Sequence, residues 1–557
     1  MKNRFVSKAK EIFTGREGFW PIFIISVLIA CMPLVTSNCI VGHDSIYHLL
    51  RIESLKKGIE AGLPFLRVNM LFFGGEGYAS SLFYPDTLLY LPALLRVAGV
   101  SVNMSYHLFI AFTVVACFIS SYLCIKEITK DRLPALVTAV VFSLCQYHMD
   151  DIYTRSAVGE YTAFIFVPLV ILGIWDFMYN DCKRPYILGA GMIGLILCHT
   201  LTTMFCIGLC MCGFVLRIKH MIKNPKIIMK LVFTAIAVVL MTAFYWMPVA
   251  EQLGAQTLKV TEELYDLNYE KLTFFHIFNN EFSCFGIAPI LLLLSAICIR
   301  HEKQLVRFAD MCAVLGILFC FATTGLFPWG RFARYLKFIQ FPWRLNVIAS
   351  PLIAFAVGIY VTEFVRESAS DEKRARKIAA TVVLALMVFS AVANIQRIDV
   401  HYYSYSDDYF DYAPFTTEVI GGEWLPVTVN NRSRLVNDAY VAYSDDDSKL
   451  EVTRDKNTLE VINLTGNEKY IDVPFIYYKG YAATSDGQRI EVANESGENG
   501  RVRIYPNGAK SVKVYYNGTI IQNISTALSV VTWLIIAAWL ARGILAKQVL
   551  GKAGKIK

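Results

Sequence analysis

Apolar stretches of about 20 residues recur along this chain of 557 residues, separated by short charged segments. In a helix, about 20 apolar residues are enough to cross the hydrocarbon core of a bilayer. The composition agrees with this pattern, because 55% of the residues are hydrophobic and only 18% are charged. Soluble globular domains carry about 25% charged residues. The chain is therefore predicted to be a polytopic integral membrane protein.

The apolar stretches predict an all-α membrane domain with about twelve transmembrane helices. Their approximate bounds are 20–40, 104–125, 133–148, 161–179, 185–199, 201–217, 229–249, 283–299, 307–324, 345–364, 377–396 and 525–546. The first stretch is longer than the apolar core of a signal peptide, which has about 7–15 residues, so we expect it to be retained. The apolar segment 88–100 is short, and we expect it to be re-entrant or interfacial.

The positions of Lys and Arg predict the orientation of the helices. The net charge is +8, and the basic residues gather in alternate connections: 2–16, 126–132, 183–184, 217–230, 300–307, 366–377 and 542–557. Connections rich in Lys and Arg remain in the cytoplasm, so an even number of helices with both termini inside explains the pattern. No basic stripe interleaved with aromatic residues is present, which argues against nucleic acid as a partner.

The region 397–523 differs in character from the rest and falls on the extracytoplasmic side. It contains runs of alternating residues at 489–492, 501–504 and 512–516, separated by Asp-Gly and Asn-Gly pairs. Such pairs between alternating runs are strong hairpin signals. We therefore predict an extracytoplasmic β-sandwich-like domain at 397–523, after a membrane domain at 1–396 and before a final helix with a basic tail at 524–557.

The first outer segment, 41–103, contains the first candidate site residue. Residues 44–62 have apolar positions at helical spacing with charged residues between them, which predicts an amphipathic helix in the plane of the interface. Asp44 begins this helix and would place a carboxylate at the depth of the lipid head groups. The alternative is an ordinary carboxylate at a helix N-terminus, favoured there by the helix dipole.

A second acidic segment lies in the short outer loop around residues 148–160. It carries Asp150, Asp151 and Glu160 together with Arg155. Two acidic outer loops that face one cavity would hold a divalent cation or share acid–base duty. The alternative is a solvated turn between two helices.

An aromatic and basic segment, 327–344, lies on the outer side against the general charge trend. Its arginines are Arg331, Arg334 and Arg344. Guanidinium groups bind phosphate through two parallel hydrogen bonds, and a lipid phosphate is the natural ligand at this depth. The alternative is a generic aromatic belt.

His199, at the outer end of another helix, either lines a cavity or caps that helix.

A family resemblance rests on short groups of residues spread over most of the chain. They are Gly42-His43-Asp44 with Tyr47-His48, Phe83-Tyr84-Pro85, Tyr153-Thr154-Arg155 with Gly159-Glu160, His199, Gln340-Phe341-Pro342-Trp343-Arg344, and Tyr477-Tyr478-Lys479-Gly480-Tyr481 with Asp486-Gly487. In this order they resemble the GT-C superfamily of membrane glycosyltransferases. Within it, the chain is similar to the bacterial YfhO-like family and to membrane proteins called "6-pyruvoyl-tetrahydropterin synthase-related", a name that implies nothing about their activity.

The resemblance implies a GT-C fold and an inverting sugar transfer. The donor would be a sugar linked to polyprenyl phosphate, since no nucleotide-binding motif is present. Asp44 would be the general base that deprotonates the hydroxyl of an envelope glycopolymer. The donor phosphate would be bound by Arg155, Arg331, Arg334 and Arg344. A second acidic site would consist of Asp150, Asp151 and Glu160. The cavity would be lined by His43, His48 and His199. A divalent cation, Mg or Mn, would bind Asp44, Asp151 and Glu160. Many relatives have an acidic pair where this chain has Asp44 alone.

Two other functions remain open at this point. A transporter or flippase for a lipid-linked saccharide would show paired inverted repeats and polar residues near the bilayer midplane. A non-catalytic scaffold for envelope assembly would use the β-rich domain as its binding module. It would have no reason to gather the acidic residues and the arginines around one pocket.

Overall fold

The computed structural model describes residues 16–553 apart from 262–265, 268–269, 279–282, 298, 300, 368–370, 399, 407, 413–421 and 456. By its internal contacts the chain forms two compact units. The first contains the described residues of 1–64, 86–228 and 262–413, and the second contains those of 65–85, 229–261 and 414–557. The division into domains at residues 396 and 523 stays a prediction.

Helices of different lengths make up most of the first unit. They are α1 (Arg16–Ala30), α2 (Ser45–Glu60), α4 (Tyr90–Val97), α5 (Val102–Thr129), α6 (Arg132–Ser143), α7 (Gln146–Tyr153), α8 (Val158–Ala163), α9 (Val167–Tyr179), α10 (Pro185–Ile196), α11 (Thr200–Leu216), α12 (Ile218–Lys223), α15 (Ala288–Ile297), α16 (Gln304–Ala322), α17 (Trp329–Leu336), α18 (Asn346–Glu367), α19 (Glu372–Arg397) and α20 (Tyr409–Tyr412). Two short strands, β1 (Cys39–Val41) and β2 (His401–Tyr403), pair antiparallel.

Helices of membrane-spanning length are present in the described part of the chain. Six are long and apolar enough to cross a bilayer, and a seventh would come from a pair of helices bent by 71°. Five shorter apolar helices lie at the other predicted spans, so each of the twelve predicted stretches contains a helix. The number of helices that cross the membrane, and the side on which each terminus lies, stay predictions.

The first predicted span, 20–40, is too long at its C-terminal end. Helix α1 ends at Ala30, and a short 3-10 turn with Pro33 follows. Proline has no backbone N–H and does not continue a helix ladder. The chain then extends into β1, where Ile40 pairs with Tyr402.

Helix α2 is not the amphipathic interfacial helix that the spacing predicted. Its charged residues Arg51 and Glu53 are buried together with the apolar ones. Arg51 Nε donates to Asp86 Oδ1 at 3.0 Å, and Glu53 forms a buried ion pair with Arg96 of α4. Because partners on α4 and just before it neutralise these charges, the helix is enclosed by protein on its polar side as well.

Helix α4 lies within the segment 88–100, whose ability to span was in question. It has eight residues, which extend about 12 Å, less than half the thickness of a hydrocarbon core. This length agrees with the expectation that the segment is re-entrant or interfacial, which stays a prediction.

The second unit combines helices with a β-barrel. Its helices are α3 (Ser80–Phe83), most of α13 (Pro225–Met241), α14 (Ala243–Ala255), α21 (Arg432–Asn437) and α22 (Ile520–Ala553). Its strands are β3 (Val441–Ser444), β4 (Lys449–Asp455), β5 (Thr458–Val461), β6 (Ile471–Ile476), β7 (Tyr481–Ser485), β8 (Gln488–Ser496), β9 (Arg501–Tyr505) and β10 (Val512–Tyr516).

The predicted β-rich domain is present, and its strands close into a barrel instead of a sandwich. The strand order is β10-β5-β4-β3-β6-β9-β8-β7, and β10 pairs with both β5 and β7. Closure removes the exposed sheet edges that a sandwich leaves. Alternation of apolar and polar residues fits both architectures, so the sequence pattern did not distinguish them.

Two of the predicted turns differ in whether the strands that flank them pair with each other. Asp486 and Gly487 both have positive φ and join β7 to β8 as a two-residue hairpin, as predicted. Asn507 and Gly508 also have positive φ, but the strands that flank them, β9 and β10, do not pair with each other. The local turn chemistry was correct, and the pairing depends on the whole barrel.

A buried ion pair attaches the segment 65–85 to the barrel. The carboxylate of Glu76 accepts hydrogen bonds from the guanidinium of Arg501, and both side chains are almost completely buried. The backbone carbonyl of Glu76 also accepts from the N–H of Ile476 at 2.9 Å. This inserted segment is therefore an integral part of the barrel unit.

Candidate active site in the first unit

The backbone around Asp44 is held against the loop that follows α7. The N–H of His43 donates to the carbonyl of Thr154 at 3.0 Å, and the N–H of Asp44 donates to the carbonyl of Arg155 at 2.8 Å. A Cβ at Gly42 would lie 2.5 Å from Ser156 Oγ and 2.8 Å from Thr154 O. Glycine is therefore required at position 42 for this close approach.

The carboxylate of Asp44 has no hydrogen bond or ion-pair partner among the residues that the structure describes. It stands at the N-terminus of α2 but accepts no capping hydrogen bond from that helix. The side chain is half-buried. Burial raises its pKa above the ordinary value, and the positive charges of Arg155 and Arg344 oppose that rise. The carboxylate therefore lies in the field of two arginines without being bonded to either.

Arg155 is the centre of a buried charge network. Its Nη1 donates to Asp151 Oδ1, to Glu160 Oε2 at 3.0 Å and to the hydroxyl of Tyr147 at 3.3 Å. The Tyr147 hydroxyl in turn donates to Glu160. The predicted solvated turn is thus excluded for these residues, because all four side chains are buried.

Asp150 points away from this network, although it is adjacent in sequence. Its Oδ2 accepts a hydrogen bond from the N–H of Ser283 at 2.8 Å, and the carbonyl of Ser283 accepts from the side-chain amide of Asn346. Burial raises the pKa of Asp150 to about 8, against the opposing effects of the Ser283 hydrogen bond and the Arg155 charge. Asp150 therefore fixes the backbone at Ser283.

Arg344 approaches the network from the segment between α17 and α18. Residues 342–345 form a single 3-10 turn, and the guanidinium of Arg344 donates to the side chain of Gln340 and lies 4.9 Å from the ring centroid of Phe341. Its Nε lies 4.0 Å from Glu160 Oε2 and makes no hydrogen bond within the described residues. Trp343, from the same turn, covers the guanidinium of Arg155 at 4.5 Å.

We call Asp44, Asp151, Arg155, Glu160 and Arg344 the acid–arginine cluster. It joins three segments that are distant in sequence: the start of α2, the α7–α8 region and the turn before α18. Arg155 neutralises Asp151 and Glu160, whereas the Asp44 carboxylate and the Arg344 Nε make no hydrogen bond within the described residues and are therefore available to a ligand. A base beside a cation suits the removal of a proton next to an anionic leaving group.

The three candidate histidines differ in their surroundings. His199 donates to or accepts from Thr202 Oγ1 at 2.8 Å and lies in the electrostatic field of Glu160, Arg344 and Arg155.

His43 is exposed and adjacent to Asp44. His48 is buried on α2, where its Nδ1 lies 3.1 Å from Arg51 Nη1, which places it among the groups that hold α2. Lining of a cavity by these two residues stays a prediction.

Arg331 and Arg334 lie apart from the described contacts of the cluster. Both are exposed on α17, and neither makes a hydrogen bond or ion pair within the part of the chain that the structure describes. The opposite side of α17 is fixed by Trp329, which is buried against Leu267 and donates from its indole N–H to the carbonyl of Ala322 at 2.9 Å. Their binding of a donor phosphate stays a prediction.

The predicted metal ligands do not fit a divalent cation. Asp151 Oδ1 and Glu160 Oε2 both accept from Arg155 Nη1, while Asp151 Oδ2 has no hydrogen-bond partner within the described residues. Within the described residues, no group of three His, Cys, Asp or Glu side chains has an arrangement suited to a metal. The guanidinium group occupies the position between the carboxylates that a cation would take.

Tyr147 and Ser283 are not among the site residues predicted from the sequence. Tyr147 lies four residues before Asp151, so both side chains are on one face of α7, and this spacing is a signal that was available. Ser283 contributes a backbone N–H, for which no side-chain pattern exists.

Comparisons with known proteins give a family and two distant structural likenesses. Among solved structures, the chain is similar to the arabinofuranosyltransferase AftD from Mycobacteria, with 15% identity and a TM-score of 0.41 over 68% of this chain and 27% of that one. A mutant of AftD (R1389S, class 2) gives 12% identity and a TM-score of 0.42 over 68% and 28%. The chain thus spans about a quarter of the length of these structures, and such TM-scores lie below the level that indicates a shared fold.

No curated protein matches the chain. A family model matches residues 82–398, which is more than half of the chain and includes four of the five residues of the acid–arginine cluster. Its description is "6-pyruvoyl-tetrahydropterin synthase related domain; membrane protein". The protein therefore belongs to the 6-pyruvoyl-tetrahydropterin synthase-related family of membrane proteins.

Proposed function

We propose that this protein is an integral membrane glycosyltransferase. It moves a sugar from a polyprenyl-phosphate-linked donor to a hydroxyl group of an extracytoplasmic envelope glycopolymer, with inversion at the anomeric carbon. The observation that supports this proposal most is the unpaired carboxylate of Asp44 in the field of Arg155 and Arg344. Three of the motifs that resemble GT-C enzymes contribute residues to this cluster: the one with Asp44, the one with Arg155 and Glu160, and the one that ends at Arg344.

In the proposed reaction, the Asp44 carboxylate accepts the proton of the acceptor hydroxyl. The acceptor oxygen forms a bond to the anomeric carbon as the bond from that carbon to the phosphate oxygen breaks. The polyprenyl phosphate leaves with the electron pair of that bond, and the configuration of the anomeric carbon inverts. Because burial raises the pKa of Asp44, the carboxylate is a better base than a solvated aspartate while Arg155 and Arg344 favour its ionised form.

Arg344 is the group that would stabilise the departing phosphate. Its Nε makes no hydrogen bond within the described residues, so a donor remains available for a phosphate oxygen. The contact with Phe341 and the hydrogen bond to Gln340 hold the guanidinium in place before the donor arrives. Arg155 acts indirectly, since its Nη1 is committed to Asp151, Glu160 and Tyr147.

Arg331 and Arg334 would capture the donor phosphate first, from the exposed side of α17. In this arrangement both termini lie in the cytoplasm, and the barrel lies outside with the acceptor. The predicted orientation follows from the distribution of Lys and Arg.

The test is a transfer assay with the purified full-length protein in lipid nanodiscs. Radiolabelled sugars linked to polyprenyl phosphate are supplied together with glycopolymer fractions, and the product is separated from the donor. The proposal expects transfer from at least one donor, with the product anomer opposite to the donor anomer by NMR. Failure of every donor, or retention of the anomeric configuration, would refute it.

A further inference from the structure

Strands β7 and β8 of the barrel separate after a short stretch of pairing. Ala483 pairs with Ile490, and the pairing continues only toward the turn, to Ser485 and Gln488. Strand β8 runs on to Ser496 with β9 as its partner, whereas the start of β7 pairs with β10. The two strands therefore diverge on the side away from the turn.

A cleft of about 420 Å³ opens where they diverge. Tyr477 and residues 479–482 line one side, and residues 489–494 line the other. We call this the β7–β8 cleft. Its volume falls within the range of pockets that hold small ligands, about 300–1,000 Å³.

The first side of the cleft is rigid. Gly480 has a φ of 128°, and a Cβ at this position would lie 2.9 Å from the ring of Tyr516. Its carbonyl accepts hydrogen bonds from the N–H groups of Asn517 and Gly518, and the hydroxyl of Tyr516 donates to the carbonyl of Lys479 at 3.1 Å. The shape of this side is therefore set without a ligand.

The second side carries polar groups that other parts of the described chain do not use. Arg489, Glu491 and Asn494 are exposed and make no side-chain hydrogen bond or ion pair with described residues. They provide a guanidinium, a carboxylate and an amide within six residues of one strand. Lys479, on the first side, forms an ion pair with Glu251 at 3.4 Å.

We propose that the β7–β8 cleft binds a saccharide chain. A saccharide presents hydroxyl groups that both donate and accept, and such a ligand needs closely spaced donors and acceptors. Arg489 donates to ring and hydroxyl oxygens, Glu491 accepts from hydroxyl groups, and Asn494 does both. The role of this chain as acceptor rests on the proposed glycosyltransferase function, whereas the binding itself does not.

The lining favours a saccharide over an added peptide strand. A peptide that extends the sheet would use the backbone of β8 and apolar pockets for alternate side chains. Here three of the six residues that line the cleft from β8 are charged or amide residues, and the free part of the strand is short.

The test uses the full-length protein in nanodiscs on an array of neutral and anionic oligosaccharides, with an array of extended peptides in parallel. We expect retention of at least one saccharide, and at least tenfold weaker retention by Arg489→Ala and by Asn494→Ala, as expected for loss of a hydrogen bond to a charged or amide group. Glu451→Ala, an exposed acidic residue on β4 that does not line the cleft, is the matched control and should bind like the unmodified protein.

Three outcomes would overturn the inference: no saccharide retained, equal retention by the cleft variants, or retention of peptides in place of saccharides. The Asp44→Asn variant separates the two proposals, because it should keep saccharide binding while transfer is lost. Saccharide binding without any transfer by the unmodified protein would leave the cleft standing and refute the proposed reaction.

Discussion

The backbone N–H of Asp44 donates a hydrogen bond of 2.8 Å to the carbonyl oxygen of Arg155. This contact joins two segments more than a hundred residues apart and brings Asp44 to the acidic segment of α7 and α8. The main chain thus positions Asp44, and its carboxylate has no hydrogen-bond partner among the described residues. The predictions below depend on this arrangement.

The close approach at Gly42 predicts a cost for a single added methyl group. In Gly42→Ala, the new Cβ would lie 2.5 Å from Ser156 Oγ, so the segment must move. We expect a loss of stability of about 1–3 kcal/mol, as for other overpacked sites. We also expect a transfer rate about 10²-fold lower, because the displacement carries Asp44 with it. Gly208→Ala, on α11 with no atom within 4 Å of the new Cβ, should lower neither the stability nor the transfer rate. Equal rates for the two variants would contradict the account.

Arg344 and Arg334 should differ in their effects on transfer. In Arg344→Gln, the loss of a preorganised cation beside the leaving phosphate should lower kcat by about 10²–10³-fold. Arg334→Gln removes an exposed cation on α17 and should raise KM for the donor with little change in kcat. Steady-state kinetics with a lipid-linked donor measure both quantities. A kcat for Arg344→Gln as high as that for Arg334→Gln would show that Arg344 does not act on the leaving group.

Arg155 should contribute mainly to stability. Arg155→Met leaves Asp151 and Glu160 buried without a counter-ion, and removal of one member of a buried ion pair costs about 3–5 kcal/mol. Chemical unfolding in detergent measures this loss. Adding Asp151→Asn to Arg155→Met should restore part of the stability, since one of the two negative charges is then absent. Arg334→Met is the exposed control and should change stability by about 0.5 kcal/mol or less. A network of no structural importance would give no difference between Arg155→Met and this control.

Glu76 predicts the pH dependence of the stability of the barrel unit. Burial raises its pKa from 4.5 to about 7, against the opposing effect of Arg501. The folded state therefore binds a proton more tightly than the unfolded state. The contribution of Glu76 to the free energy of unfolding is greatest below pH 4.5. It falls by an amount on the order of 3 kcal/mol as the pH rises toward 7 and is level above that.

Thermal unfolding from pH 4.5 to 8 tests this contribution. Glu76→Gln carries no titrating group at this position, so its midpoint should fall less steeply with pH than that of the unmodified protein. Glu451→Gln, at an exposed site on β4, should follow the unmodified protein. Parallel curves for Glu76→Gln and the unmodified protein would exclude the titration of Glu76.

Much of the architecture could be predicted from local pattern. Each predicted apolar stretch contains a helix, because about 20 apolar residues in a row have few other stable arrangements. The alternating runs in the C-terminal region became β8, β9 and β10. Closure of the barrel depends on the pairing of β10 with β5 and β7, which no local signal specifies.

The candidate site was predicted in its residue types more than in its contacts. Asp44, Asp151, Glu160, Arg155 and Arg344 stood out as charges in an apolar chain, and they meet in one cluster. The error on α2 has a physical cause: charges at helical spacing resemble a solvated face, and the sequence does not show that Asp86 and Arg96 pair with Arg51 and Glu53. The burial of Arg155 between two carboxylates was likewise visible only in three dimensions.

The central claim is that the carboxylate of Asp44 is the base in sugar transfer. Its most direct test is the single-turnover rate of Asp44→Asn in nanodiscs at saturating donor, at equal protein level. Glu60→Gln is the control, because Glu60 is an exposed acid on the same helix. We predict a rate at least about 10²-fold lower for Asp44→Asn, the usual contribution of a general base, and an unchanged rate for Glu60→Gln. A near-normal rate for Asp44→Asn would contradict the account.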